Sequence, residues 1–132
     1  MKKKIKSLNP RINVVQKIYS SNFNPDEKII YSKNRYKKFI KDVVEGTIER
    51  SELIEGTLQD NLKDDLDLKK TDKILKIIIF AAVYELMFMH RIPIKVVISE
   101  YLKVSEFFIT KSQIHYLNAI LDKLSKIIRL DK

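Results

Sequence analysis

Residues 71–93, TDKILKIIIFAAVYELMFMHRIP, decide the fold. Thr71-Asp72 predicts a helix start, and the helix that follows is apolar on nearly every side across Ile77–Tyr84. Such a helix is normally the buried centre of a bundle. The HRIP sequence predicts its end near Met89, because the residue before a proline disfavours helical geometry. The apolar run is too short to span a membrane, since a spanning helix needs about 20 apolar residues.

Amphipathic helices are predicted on both sides of this central helix. The N-terminal boundaries are a start at Asn9-Pro10, a loop over residues 20–28, a start at about Ser32 and a bend near Arg50-Ser51. On the C-terminal side, Pro93 opens one helix and Ser112 caps the last. The chain contains only two glycines and three prolines, which argues against a β fold with many turns. We therefore expect an all-α protein of six or seven short helices.

The charge of the chain is unevenly distributed. The 132 residues suit one domain, which we expect to be a flexible basic tail at residues 1–8 and a single helical domain at residues 9–132. Residues 1–50 carry 13 basic against 5 acidic residues, although the net charge of the whole chain is only +9. This excess indicates either a polyanionic partner such as a nucleic acid or merely a lysine-rich composition, and the sequence leaves both open.

The residues needed for catalysis are largely missing. There is no cysteine, the two histidines show no metal-ligand spacing, and two glycines cannot form a phosphate-binding loop. The acidic segment KDDLDLKK, residues 63–70, is typical of a solvated charge run. We therefore expect no enzyme activity, no cofactor and no metal, and we expect a cytoplasmic protein without a secretory signal.

The last predicted helix carries polar residues beside its apolar face. His115, Asn118 and Asp122 follow one another at spacings of three and four, so they form one stripe. One interpretation is internal, with Asn118 or Asp122 holding a neighbouring loop or helix end. The other is functional, with Tyr116 stacking on a base and His115 contacting a phosphate or a base edge. The residue types favour the internal role for Asp122 and leave Tyr116 open.

Three segments together resemble the NusB family of transcription antitermination factors. They are PRINVVQKIYS at residues 10–20, AVYELMFMHRIPIKVVISEYLKVSEFF at residues 82–108 and YLNAILDKL at residues 116–124. They resemble the family patterns A-R-x-x-A-x-Q-A-L-Y, A-L-Y-E-L with V-P-Y-K-V-V-I-N-E-A, and F-V-N-G-V-L-D-K. The resemblance implies about seven helices in two packed sub-bundles and no catalysis.

The resemblance also implies partners and site residues. It implies pairing with NusE, a protein of the small ribosomal subunit, and binding to boxA-type RNA in nascent ribosomal transcripts, which helps RNA polymerase read through terminators. It implies a partner contact at Glu85, and it leaves a homodimer open. The residues expected at RNA are Lys3, Lys4, Lys6, Arg11, Gln16, Tyr19, His115, Tyr116 and Asn118.

Several residues depart from the family pattern. The start is rich in lysine where the family has arginine, which keeps the charge but loses bidentate phosphate recognition. His115 stands where a lysine is usual, so its contact is expected to depend on pH near neutrality. Pro10, Ser99 and Ala119 replace the family's Ala, Asn and Gly. These departures keep a second hypothesis open, a protein-interaction module with this fold but without sequence-specific RNA binding.

Overall fold

The computed structural model describes residues 9–129, and within this range it contains six α-helices and no strand. The helices are α1 (Pro10–Phe23), α2 (Lys37–Glu49), α3 (Ser51–Leu62), α4 (Lys73–Phe88), α5 (Ile94–Ser105) and α6 (Lys111–Ile128), with a 3-10 turn at Leu68–Lys70. This confirms the all-α prediction, and the count is close to the expected seven. The expected basic tail at residues 1–8 lies outside the described residues.

Helix α4 is the centre of the bundle. It packs against each of the other five helices. Ten of its sixteen residues are buried, and Ile78, Ile79 and Leu86 have no solvent exposure. The helices α1, α2 and α3 also pack in sequence against one another, and α5 packs against α6. The two groups correspond to the expected sub-bundles and share α4.

Most predicted helix boundaries are confirmed by their caps. The Asn9 side chain accepts a hydrogen bond from the Arg11 backbone amide and Pro10 occupies the first helical position, while Asp72 caps α4. Helix α6 begins two residues earlier than predicted, because Thr110 rather than Ser112 is the N-cap and forms a capping box with Gln113.

The first loop also lies further along the chain than predicted. Helix α1 continues to Phe23, and α2 begins at Lys37 rather than near Ser32. The Asn34 side chain accepts a hydrogen bond from the Tyr36 backbone amide, and its carbonyl accepts from the Lys37 amide. This local turn competes with helix formation and delays the start of α2.

Helix α2 approaches α4 closely at Gly46. A Cβ atom at this position would overlap the ring of Tyr84 on α4. The other glycine, Gly56 on α3, has open space around the same point. Gly46 therefore leaves room for the outer end of the Tyr84 ring, whereas Gly56 only weakens its helix.

The two glycines give a matched pair of substitutions. We expect Gly46→Ala to lower the free energy of unfolding by about 1–3 kcal/mol, because the Tyr84 ring must move out of a packed position. Gly56→Ala should raise it by about 0.5–1 kcal/mol through better helix propensity. Urea unfolding followed by circular dichroism measures both. Equal effects of the two substitutions would contradict the close packing of α2 on α4.

Candidate nucleic-acid interface

A buried ion pair joins α1 to α4. Two guanidinium nitrogens of Arg11 donate to the two carboxylate oxygens of Glu85, at 3.0 and 2.7 Å. The Tyr101 hydroxyl on α5 donates a further short hydrogen bond to the same carboxylate. The guanidinium also lies over the Phe39 ring of α2, 4.7 Å from its centroid. The Glu85 carboxylate thus receives donors from two helices, and its partner Arg11 contacts a third.

The burial of this pair corrects two sequence-based expectations. Arg11 is only 7% exposed and Glu85 is 0% exposed, and each satisfies the other. This placement does not fit Arg11 as a direct RNA contact or Glu85 as a partner contact, because Glu85 is fully buried and Arg11 nearly so. Both instead fix the position of α1 on α4. The sequence contains both motifs, but it does not reveal that Arg11 and Glu85, which are 74 positions apart, form an ion pair in the fold.

The pKa directions agree with this arrangement. Burial disfavours the charged form of Arg11 and by itself would lower the pKa of the guanidinium. The hydrogen bonds to Glu85 and the charge of Glu85 outweigh this effect, so the pKa of Arg11 is raised above its ordinary value. Burial, together with the Glu85 charge, raises the pKa of Tyr101 well above the ordinary value. Tyr101 is therefore held as a neutral donor to the carboxylate.

A second buried arginine, Arg129, joins α6 to the end of α4. Its guanidinium donates to four backbone carbonyls, those of Glu85, Leu86, Met89 and Ile92, at 2.6–3.1 Å. The last carbonyls of a helix lack intrahelical partners and attract cations. Sequence reasoning missed Arg129, because its partners become apparent only once α6 is known to run parallel to α4, with the two helices ending side by side.

The predicted RNA-facing edge of α6 lies at the other end of α4. His115, Tyr116 and Asn118 are exposed. Tyr116, 37% exposed, donates its hydroxyl hydrogen to the Asp65 carbonyl at 2.8 Å. Its pKa is raised by burial and by the neighbouring Asp65 and Asp67. The Tyr116 ring thus has an exposed face, while its hydroxyl is held by the hydrogen bond to Asp65.

The acidic segment packs on this edge rather than remaining free in solvent. The Asp65 carboxylate pairs with Lys123 of α6 at 2.6 Å, and Asp67 caps the 3-10 turn. Asp122, by contrast, is exposed and pairs with Lys126 on its own helix at 3.3 Å. The expectation that Asp122 holds a neighbouring loop is therefore wrong, and Asp65 fulfils that role through Tyr116 and Lys123.

Helix α1 presents its predicted RNA residues near the same end. Gln16 and Tyr19 are exposed, and the Tyr19 ring packs edge-on against Phe23, with 4.8 Å between centroids. Lys73 at the start of α4 lies over Phe23, whereas Tyr116 borders a cleft with Asp72 and Leu75 of α4. Both surfaces therefore lie where α4 begins. Lys3, Lys4 and Lys6 lie outside the described residues.

Residues 9–129 contain neither a metal-binding cluster nor a membrane-spanning helix. No group of three or more histidine or acidic side chains is placed to hold a metal ion. No helix in this part of the chain is long and apolar enough to cross a membrane.

The helical arrangement is that of a known fold. The structure of T. maritima NusB superposes with a TM-score of 0.76 over 92% of this chain and 93% of that one, at 22% sequence identity. This likeness establishes the fold alone.

The sequence comparisons go further, because the NusB family profile matches residues 6–126 and the chain therefore belongs to the NusB family. A transcription antitermination protein NusB from Mesorhizobium japonicum is 30% identical over 70% of this chain and 59% of its own length. The corresponding protein from Nitrobacter hamburgensis is 34% identical over 69% and 57%. The chain thus spans less than two thirds of the length of these curated relatives.

The buried pair predicts a non-additive mutant cycle. Arg11→Met should lower the free energy of unfolding by about 3–5 kcal/mol, because it leaves the Glu85 charge buried and unpaired. Adding Glu85→Gln removes that charge and keeps an acceptor for Tyr101, so the double variant should be more stable than Arg11→Met alone. Chemical denaturation of the wild type, the two single variants and the double variant gives the coupling free energy between Arg11 and Glu85. Additive losses would show that the two charges do not stabilise each other.

Tyr101 predicts a specific alkaline destabilisation. Its folded-state pKa lies above the value of about 10 in the unfolded chain, so its contribution is complete below that pH and declines above it. Each pH unit above 10 should remove about 1.4 kcal/mol more from the wild type than from Tyr101→Phe. Stability curves of both proteins between pH 8 and 11 measure this difference. Parallel curves would contradict a buried neutral phenol.

Proposed function

We propose that this chain is an RNA-binding transcription antitermination factor. It pairs with NusE, binds boxA-type RNA in nascent ribosomal transcripts and promotes read-through by cytoplasmic RNA polymerase. Membership of the NusB family supports the general role, and the relatives reported above are named for antitermination and not for a catalytic activity. The observation that carries the RNA assignment is the exposed Tyr116 ring, held at its tip by Asp65.

The proposed binding mechanism combines attraction and stacking. Lysines supply salt-dependent attraction to phosphates, with Lys3, Lys4 and Lys6 assigned to this role. Exposed aromatic faces such as Tyr19 and Tyr116 accept unpaired bases, each contributing about 1–3 kcal/mol. Gln16, His115 and Asn118 provide hydrogen-bonding groups beside those rings. Arg11 contributes indirectly, because its pairing with Glu85 fixes α1 and the residues that α1 presents.

Glu85 has a similar indirect role in partner binding. Its side chain is buried, so NusE does not contact its carboxylate in this conformation. Loss of Glu85 would instead disturb the positions of α1 and α5, which share its hydrogen bonds. A partner defect in a Glu85 variant is therefore expected only together with lower stability.

The function is tested by fluorescence-anisotropy titration at physiological salt. The probes are a boxA-type RNA and a scrambled RNA of the same composition, each with and without NusE. Tighter binding to boxA-type RNA that NusE strengthens is the expected result. Equal binding to both RNAs, unaffected by NusE, would favour the second hypothesis, a protein-interaction module without sequence-specific RNA binding.

Two substitutions at Tyr116 separate stacking from anchoring. Tyr116→Ala should weaken boxA binding by about 5- to 150-fold, which corresponds to the loss of one stacked base. Tyr116→Phe should keep nearly full affinity, because it retains the ring and loses only the hydrogen bond to Asp65. The same anisotropy titration measures both variants, with circular dichroism as the check on folding. Unchanged affinity in Tyr116→Ala would remove Tyr116 from the binding site.

A further inference from the structure

An exposed aromatic pair with a cation lies at the end of α1. Phe23 is 58% exposed although it is a large apolar residue, and its ring packs edge-on against Tyr19. The Lys73 ammonium lies 5.5 Å from the centroid of the Phe23 ring. We call Tyr19, Phe23 and Lys73 the aromatic platform. Phe23 could not be predicted as a helical surface residue, because it falls in the segment expected to be a loop.

A cleft adjoins this platform between α1, α2, α3 and α4. It has a volume of about 410 Å³, and its walls include Ile77 and Phe80 with the polar side chains of Asn22 and Ser51. Lys73 and Lys76 line it against a single carboxylate, that of Glu55. The cleft is within the size range of small-ligand sites and combines apolar walls with a few polar groups.

The two lysines are available to bind an anion. Within residues 9–129, neither Lys73 nor Lys76 forms a salt bridge; each ammonium instead lies over an aromatic ring, that of Phe23 or Phe80. Flat rings beside unpaired cations are the combination by which proteins bind single-stranded nucleic acid. The charges and rings of the cleft and the aromatic platform therefore indicate RNA, rather than another protein, as the ligand.

A second aromatic pair provides an internal contrast. Tyr84 and Phe88, 5.2 Å apart, lie at the opposite end of α4, where the guanidinium of Arg50 covers Phe88 at 4.4 Å. The adjoining groove is lined by three carboxylates and three cations, namely Asp42, Glu45 and Glu49 with Lys41, Arg50 and Arg91. The charges of this groove cancel, whereas two lysines face one carboxylate in the cleft beside the aromatic platform, so this pair attracts phosphates less.

We propose that the aromatic platform is a further RNA-binding site, in which a base stacks on Phe23 and the flanking phosphates contact Lys73 and Lys76. The inference rests on the RNA-binding part of the proposed function. It extends the RNA surface from α6 and the part of α1 that carries Gln16 and Tyr19 to Phe23 and the two lysines at the start of α4. The recognised ligand is a single-stranded ribonucleotide segment, and no base sequence is implied because stacking tolerates every base.

Tryptophan fluorescence tests the contact directly. The chain contains no tryptophan, so Phe23→Trp introduces a single emission signal at the platform. Titration with boxA-type RNA, and with an oligouridine of equal length, should quench this emission as the base stacks. Phe88→Trp is the matched control and should not respond. A response of Phe23→Trp to NusE but not to either RNA would overturn the inference in favour of a protein contact.

Affinity measurements provide the second test. Phe23→Leu keeps an apolar side chain but removes the flat ring, and it should weaken RNA binding about tenfold, whereas Phe88→Leu should have no effect. Lys73→Gln should reduce the slope of log affinity against log salt by about 0.7, the value for one phosphate contact on a single strand. Wild-type affinity and salt slope in both platform variants would overturn the inference.

The outcomes separate this inference from the proposed function. If the wild type binds boxA-type RNA selectively and Phe23→Leu has no effect, the RNA site at the aromatic platform is contradicted and the proposed function is supported. If boxA-type and scrambled RNA bind equally and the tryptophan emission of Phe23→Trp is quenched, the antitermination assignment is contradicted and the RNA site at the aromatic platform is supported. Failure of the wild type to bind either RNA overturns both.

Discussion

The buried carboxylate of Glu85 is the constraint on which the rest of the structure depends. A charge without solvent exposure is costly unless it is paired and hydrogen-bonded, and here Arg11 and Tyr101 provide both. This requirement can be met only when α1 and α5 take their observed positions on α4. Arg129 adds α6 by binding the backbone carbonyls at the same end of α4. One end of α4 therefore holds the bundle together through charged groups that are all buried.

The opposite end of α4 carries the surface proposed to bind RNA. Helix α1 runs antiparallel to α4, and α6 runs parallel to it. The end of α1 and the start of α6 therefore both lie where α4 begins. Their exposed rings, Tyr19, Phe23 and Tyr116, are carried by helices whose relative positions the buried charges determine. The family motifs thus divide by role, with Arg11 and Glu85 in the scaffold and Tyr116 and Asn118 on the surface.

Local patterns in the sequence predicted the helices well, because caps and apolar periodicity act over a few residues. The boundaries at Pro10 and Asp72 and the burial of α4 follow from such patterns. The pairing of Arg11 with Glu85, and of Lys123 with Asp65, joins residues 74 and 58 positions apart and leaves no local trace. For this reason motif residues that resembled surface contacts proved to be core. Phe23 was missed for the converse reason, since helix α1 extends through residues whose composition is typical of a loop.

The most direct test of this division between scaffold and surface is a residue-resolved NMR titration of the ¹⁵N-labelled protein with boxA-type RNA. The account predicts amide shift changes around Gln16, Phe23 and Tyr116, while the amides around Glu85 and Tyr101 stay unchanged. Shift changes concentrated at the Glu85 end of α4, with none around Tyr116, would contradict it, because the RNA would then bind beside buried charges and a groove whose acidic and basic side chains balance.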